Sequence, residues 1–170
     1  LELQIVLTAS AIIERFGNLP VLIEEDGFKI NEKIFILIEG RTPSVMAKST
    51  GLGIIELSSV FERLAPDVVI TVGDRFETMS TTIAAAYMNI LVAHTMGGEV
   101  SGTIDESIRH AVTKFSHIHF PASNDAYKRI IKLGERENTV FNVGCPRIDL
   151  VKEILIKNEP INNHDLFSQG

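Results

Sequence analysis

The chain has no tryptophan and only one cysteine, Cys145, in 170 residues. A single thiol excludes an internal disulfide and a cysteine-rich metal site, so a reduced compartment is the default. Basic residues are the minority, with 16 Lys and Arg against 22 Asp and Glu and a net charge of −6. That balance argues against a general nucleic-acid or membrane-surface binder. It leaves room for a nucleotide diphosphate at one local site. Long hydrophobic runs are lacking too. The most apolar segments, residues 68–72 and 83–93, are too short or are interrupted by Asn89, so no membrane span is expected. No basic segment followed by an apolar stretch opens the chain, so no secretory signal is visible and a cytoplasmic location is expected. A Walker loop, G-x-G-x-x-G and G-x-S-x-G are absent. An initiator Met is absent as well, and the chain starts inside a strand-like run. It reads as a fragment whose first strand is missing.

What is present fits one globular domain. Apolar residues make up 45% of the chain, and this length buries a sizeable core without staples. Strand-like and helix-like stretches alternate. Strands are expected at residues 4–8, 33–38, 67–72, 90–94, 118–120 and 139–143. The strand at 67–72 is rich in Val and Ile, the pattern of a strand covered on both faces. Residues 9–16 read as a short helical turn. Longer helices are expected at 42–64, 76–88, 105–116, 123–133 and 147–156. The first of these is one helix or a broken pair, with Gly51 and Gly53 at the break, and Ser123 or Asn124 caps the fourth. The alternation implies right-handed crossovers and an α/β fold, Rossmann-like, with a mainly parallel sheet flanked by helices. Residues 1–156 form that domain. The polar tail, 157–170, reads as a linker.

Chemistry-bearing residues gather in residues 66–114, just past the carboxyl ends of two consecutive strands. In open parallel sheets that is where ligands bind. The first strand runs into Gly73-Asp74-Arg75. Asp74 is either a cap for the next helix or a carboxylate facing a cleft. Arg75 is either an ion-pair partner or a phosphate contact. The second strand runs into His94-Thr95-Met96-Gly97-Gly98-Glu99. The paired glycines allow close approach of backbone to a ligand, or make an ordinary tight turn. His94 reads equally as a buried hydrogen-bonding ring and as a site residue. Thr103 and Glu106 have the spacing of a capping box, which gives Glu106 a structural reading. Asp105 and Arg109 share a helix face, where a surface salt bridge is worth only about 0.3–0.5 kcal/mol. His110 points elsewhere on that helix, toward another element or a second subunit. His117 and His119 alternate on a strand, with rings on one face. Further ligands for a zinc ion are not evident, so no metal is expected. Gly144-Cys145-Pro146-Arg147 is a strand-to-helix turn, with Pro146 at a first-turn position. Cys145 reads as a packed side chain rather than a nucleophile, because no base is placed beside it.

The runs GDRFE, GGEVSGTIDESIRHAVTK and Val143-Gly144-Cys145-Pro146 resemble the amino-terminal domain of the UDP-N-acetylglucosamine 2-epimerases, in particular the hydrolysing branch that feeds sialic acid synthesis. The resemblance covers nearly all of the chain, and the full enzymes are about twice as long. It implies one half of a two-domain GT-B-type architecture, with the tail leading to a second α/β domain. It implies conversion of UDP-N-acetylglucosamine to N-acetylmannosamine and UDP by elimination and hydration, without a cofactor. Asp74 and Asp105 carry over as the acid–base pair, with Glu99 in reserve. Arg75, His94, Gly97, Gly98, Arg109 and His110 carry over as substrate contacts. Members of the family often carry Glu where this chain has Met96. A homo-oligomer, dimer or tetramer, is expected of the full-length protein, and little activity of this piece alone. Rival readings are a GT-B glycosyltransferase, a non-catalytic nucleotide-sugar binding domain and a flavodoxin-like regulator.

Overall fold

The computed structural model describes residues 1–40 and 42–157. The linker expected at 157–170 lies outside them but for its first residue. Two parallel sheets carry the fold. In one, β1 (Ile5–Thr8) pairs with β2 (Ile30–Ile34). In the other, β3 (Val68–Val72), β4 (Leu91–Thr95) and β5 (Ile118–Phe120) lie side by side in chain order. Every strand pairing among the described residues is parallel. Helices link the strands: α1 (Leu19–Glu25), α2 (Pro43–Leu64), α3 (Phe76–Tyr87), α4 (Ile104–Phe115), α5 (Asn124–Lys132) and α6 (Pro146–Lys157). The arrangement is the expected α/β class with parallel sheets flanked by helices.

One apolar core joins both sheets to the long helices. Ile34 and Ile36 come from the first sheet and its exit, and Val69 and Val92 from the second. Leu57, Val60 and Phe61 come from α2, and Phe76, Ala84 and Ala85 from α3. Each fully buried large aliphatic side chain stabilises the fold by about 1.5–3 kcal/mol.

Several expectations are corrected. Of the two readings of residues 42–64, the single helix is the one observed, since α2 runs unbroken through Gly51 and Gly53. Gly53 serves packing: a Cβ there would lie 2.7 Å from Ser80 Oγ and 3.1 Å from Ile36 Cδ1. The buried Ser80 hydroxyl bonds the carbonyls of Thr50, at 2.9 Å, and Phe76, at 3.0 Å, so it fastens α3 to α2. Strand β3 is covered on one face only, with Val69 and Thr71 buried and Val68, Ile70 and Val72 between 42% and 64% exposed. The second strand starts and ends earlier than residues 33–38, and helix α1 had no counterpart in the expected pattern. Residues 139–143 make a single bridge, Val140 to His119, rather than a full strand. The amide of Phe141 still donates to His119 O at 2.8 Å. His117 and His119 do not share an environment. His119 is enclosed, whereas His117 is exposed and its Nδ1 accepts from the Val92 amide at 3.2 Å.

The two α2 glycines differ in a measurable way. Among the described residues, nothing lies within 4 Å of a Cβ built on Gly51. Gly51→Ala is expected to stabilise by up to about 1 kcal/mol through helix propensity. Gly53→Ala is expected to destabilise by about 1–3 kcal/mol, because overpacking against Ser80 outweighs that gain. Urea unfolding of the two variants checks both signs.

Candidate functional site

Strand β3 ends at Val72, and Gly73 turns the chain with φ +81°. A Cβ on Gly73 would meet nothing within 4 Å among the described residues, so glycine serves the backbone angle here. The amide of Gly73 donates to Thr95 O at 3.2 Å. Its carbonyl accepts from His94 Nε2 at 2.7 Å. A carbonyl only accepts, so His94 carries its proton on Nε2. Its Nδ1 then faces the Thr113 hydroxyl at 3.4 Å, whose oxygen is also 3.0 Å from Arg109 O. His94 is fully enclosed. It lies beneath the site and holds the Gly73 turn.

Asp74 does not cap α3. The N-cap of α3 is Arg75, with no side-chain bond. Asp74 Oδ2 instead accepts from Arg109 Nη2. Arg109 therefore does not pair with Asp105 on its own helix. Its other nitrogen, Nη1, donates to Glu99 O at 2.6 Å. One guanidinium thus joins the turn after β3 to the loop after β4. The Arg109 side chain is 9% exposed and that of Asp74 23%. The pair is screened from water far more than a surface salt bridge.

The loop after β4 is fastened from two helices. Met96 sits at φ +60°, and its amide donates to Phe120 O at 2.9 Å. A Cβ on Gly97 would lie 2.9 Å from His94 Nδ1. A Cβ on Gly98 would lie 2.4 Å from Ala126 O in α5. Both glycines are buried, so their small size serves contact with protein. Arg129 of α5 donates to Gly98 O. Glu99 Oε1 accepts from Ser123 Oγ at 3.0 Å, and Ser123 Oγ in turn accepts from the Ala126 amide at 3.2 Å as the α5 cap.

At the start of α4, Thr103 makes no side-chain cap bond. Glu106 Oε2 accepts from the amides of Ser101 and Gly102, both at 2.8 Å, and not from Thr103 as a capping box requires. These amides, Gly102 first, lower the Glu106 carboxyl below its usual range. His110 Nε2 stands 3.9 Å from Glu106 Oε1, one turn along the helix.

Glu77 is the residue that sequence reasoning passed over. It stands in the first turn of α3, where acidic residues are ordinary complements of the helix dipole. Its Oε1 lies 3.1 Å from Arg75 Nε, so Arg75 is an ion-pair partner. Its Oε2 is buried without a partner among the described residues. Burial pushes the Glu77 carboxyl above its usual range. Its own backbone bond and Arg75 oppose this, while Asp105 and Asp74 add to it. Glu77 thus feels the negative charge of both Asp74 and Asp105. Asp74, Arg75 and Glu77 follow the end of β3 in the chain, and Arg109 reaches Asp74 from α4. Such a group can move protons and hold an anion.

In a parallel α/β domain, ligands bind in the crevice outside the carboxyl ends of the strands, where these acids and cations stand. Comparison with known proteins makes this specific. Residues 1–167 match the model of the family described as UDP-N-acetylglucosamine 2-epimerase. The chain belongs to that family. It is 38% identical over 169 residues to UDP-N,N'-diacetylbacillosamine 2-epimerase (hydrolyzing) of Legionella pneumophila, covering 99% of this chain and 44% of that protein. It is 38% identical over 160 residues to the GDP/UDP-N,N'-diacetylbacillosamine 2-epimerase (hydrolyzing) of Campylobacter jejuni, covering 94% and 41%. The chain thus spans less than half the length of these relatives. The solved UDP-GlcNAc 2-epimerase from Neisseria meningitidis bound to UDP-GlcNAc has the same fold, with TM-score 0.75 at 22% identity over 91% of this chain and 42% of that one.

Burial lowers the His94 pKa from 6.5 to about 4, against the bond to Gly73 O, which raises it. Above pH 6.5 the ring is neutral in both the folded and the unfolded chain. Below it, the unfolded chain binds a proton that the folded chain refuses, so stability falls as pH falls toward 4. The expected loss between pH 7 and pH 5 is about 2 kcal/mol. His94→Gln can still donate to Gly73 O but does not titrate. Urea unfolding at the two pH values is expected to show this increment in the wild type and not in the variant.

Proposed function

We propose that this chain is the amino-terminal half of a hydrolysing 2-epimerase that converts UDP-N-acetylglucosamine and water to N-acetylmannosamine and UDP. One observation carries the reading: Arg109 ties Asp74 to the loop of Glu99, with Asp105 one helical turn before Arg109. A base takes the proton from sugar C2. The electron pair left behind forms the C1–C2 double bond, and the C1–O bond breaks as UDP departs. Water then adds its hydroxyl at C1 and a proton returns to C2 from the opposite face. The sequence needs two proton-handling groups on two sides of one carbon. Asp74 and Asp105 are proposed for these roles, with Glu99 in reserve.

Arg109 is engaged by protein on both arms. Its role in this reading is to hold the carboxylate and loop in place and to balance charge near the sugar. Arg75, more than half exposed, is the cation available to a diphosphate. His110, Gly97 and Gly98 shape the edge of the cleft, and His94 supports it from below. Residues 1–156 form the amino-terminal domain in this reading, and 157–170 lead toward a second domain that completes the nucleotide site. The full-length protein is proposed to work in the cytoplasm as a homo-oligomer.

A second reading changes only the sugar. The names of two relatives at 38% identity specify N,N'-diacetylbacillosamine linked to a nucleoside diphosphate. The proton abstraction at C2 is common to both sugars.

The full-length protein, incubated with UDP-N-acetylglucosamine in heavy water, is expected to release UDP and an N-acetylmannosamine with deuterium at C2. Asp74→Asn and Asp105→Asn are each expected to lower kcat by about 100-fold or more, the usual range for a lost proton-transfer group. Release of UDP with C2 still protonated would point to glycosyl transfer instead. Turnover of the diacetylated substrate alone would favour the second reading.

A further inference from the structure

Helix α5 stands outside the group of acids, yet its side chains fasten the loop that carries Glu99. Ser123 Oγ has one proton, and it goes to Glu99 Oε1 at 3.0 Å. The same oxygen accepts from the Ala126 amide, closing the first turn of α5. One turn beyond Ala126, half-buried Arg129 donates to Gly98 O. Between these contacts, Gly98 lies against the α5 backbone so closely that a Cβ would be 2.4 Å from Ala126 O. The carboxylate of Glu99, the carbonyl before it and the Cα of Gly98 are thus all set by a single helix. A hydroxyl shared between a helix cap and a carboxylate has little freedom to rotate. The carboxylate it holds is oriented before any ligand arrives.

We propose that Ser123 and Arg129 are positioning residues of the site, setting the Glu99 carboxylate and the Gly98–Glu99 backbone against the Asp74–Arg109 pair. The proposal rests on the functional reading above for its kinetic consequence, but not for its structural one. Three variants of the full-length protein separate the roles of Ser123. Ser123→Thr keeps both the cap and the donated proton. Ser123→Asp keeps the cap but has no proton to donate when ionised, and it opposes Glu99 by charge. Arg129→Met keeps the aliphatic stem and removes the donor.

Ser123→Thr is expected to retain kcat within about twofold. Ser123→Asp and Arg129→Met are expected to lose about 10- to 100-fold in kcat with little change in KM, the signature of misplaced groups rather than lost binding. Melting temperatures of Ser123→Asp and wild type are expected to agree within a few degrees, roughly what a retained cap allows. Amide hydrogen exchange of residues 98–102 is read in parallel. It is expected to quicken about tenfold or more in Ser123→Asp and Arg129→Met, with β4 and α4 unchanged. Unchanged exchange in both variants, or full kcat in Ser123→Asp, would overturn the proposal. If the wild type turns over no UDP-sugar, the functional reading fails, and the exchange measurement still decides whether α5 holds this loop.

Discussion

The site depends on one ion pair. Asp74 ends the turn after β3, and Arg109 rises from α4 to meet it. The guanidinium is almost wholly buried and its second arm is spent on Glu99 O at 2.6 Å. A buried pair of this kind contributes little net stability over an apolar substitute, but removing one partner strands the other, at a cost of about 3–5 kcal/mol. The pair therefore acts as a constraint more than as a source of stability. It fixes the separation between two loops whose side chains would otherwise be free to drift apart.

Beneath the pair, the fold removes other freedoms. His94 holds the Gly73 carbonyl at 2.7 Å, which fixes the turn that presents Asp74. Gly97 is small because the His94 ring lies below it, and Gly98 is small because α5 lies beside it. The residues between β4 and α4 are thus pressed from below by a neutral imidazole and from the side by a helix. Glu106 ties down the next part of the loop through two backbone amides. The loop is ordered by polar contacts, each worth about 0.5–1.5 kcal/mol net, rather than by burial of apolar surface. Its shape is for that reason sensitive to single substitutions.

Much of the architecture was legible from periodicity. The strand at 118–120 and the helices near 76–88, 105–116 and 147–156 stand where their patterns put them, and the parallel α/β class follows from their alternation. The errors have physical causes. Gly51 and Gly53 leave a single helix and a broken pair both open, because local propensity cannot register that Ser80 from another helix fills the space beside Gly53. Strand β3 looked covered on both faces because a run of Val and Ile reports hydrophobicity, not the number of layers available to cover it. The Asp105–Arg109 spacing suggested a pair on one helix. A partner 35 positions away in the chain is closer in space. The capping-box spacing of Thr103 and Glu106 was real, but the carboxylate reaches past Thr103 to the preceding amides. Glu77 was hidden by its ordinary place in a first helical turn. Only packing shows that its second oxygen is buried.

A double-mutant cycle on the full-length protein tests the central claim most directly. Asp74→Asn, Arg109→Met and the combined variant are compared by kcat/KM. If one guanidinium and one carboxylate act as a unit, the losses are strongly non-additive, with a coupling of about 1–3 kcal/mol, as expected for residues in one network. Losses that simply add would mean that the two groups act independently, and the account built on their pairing would be wrong.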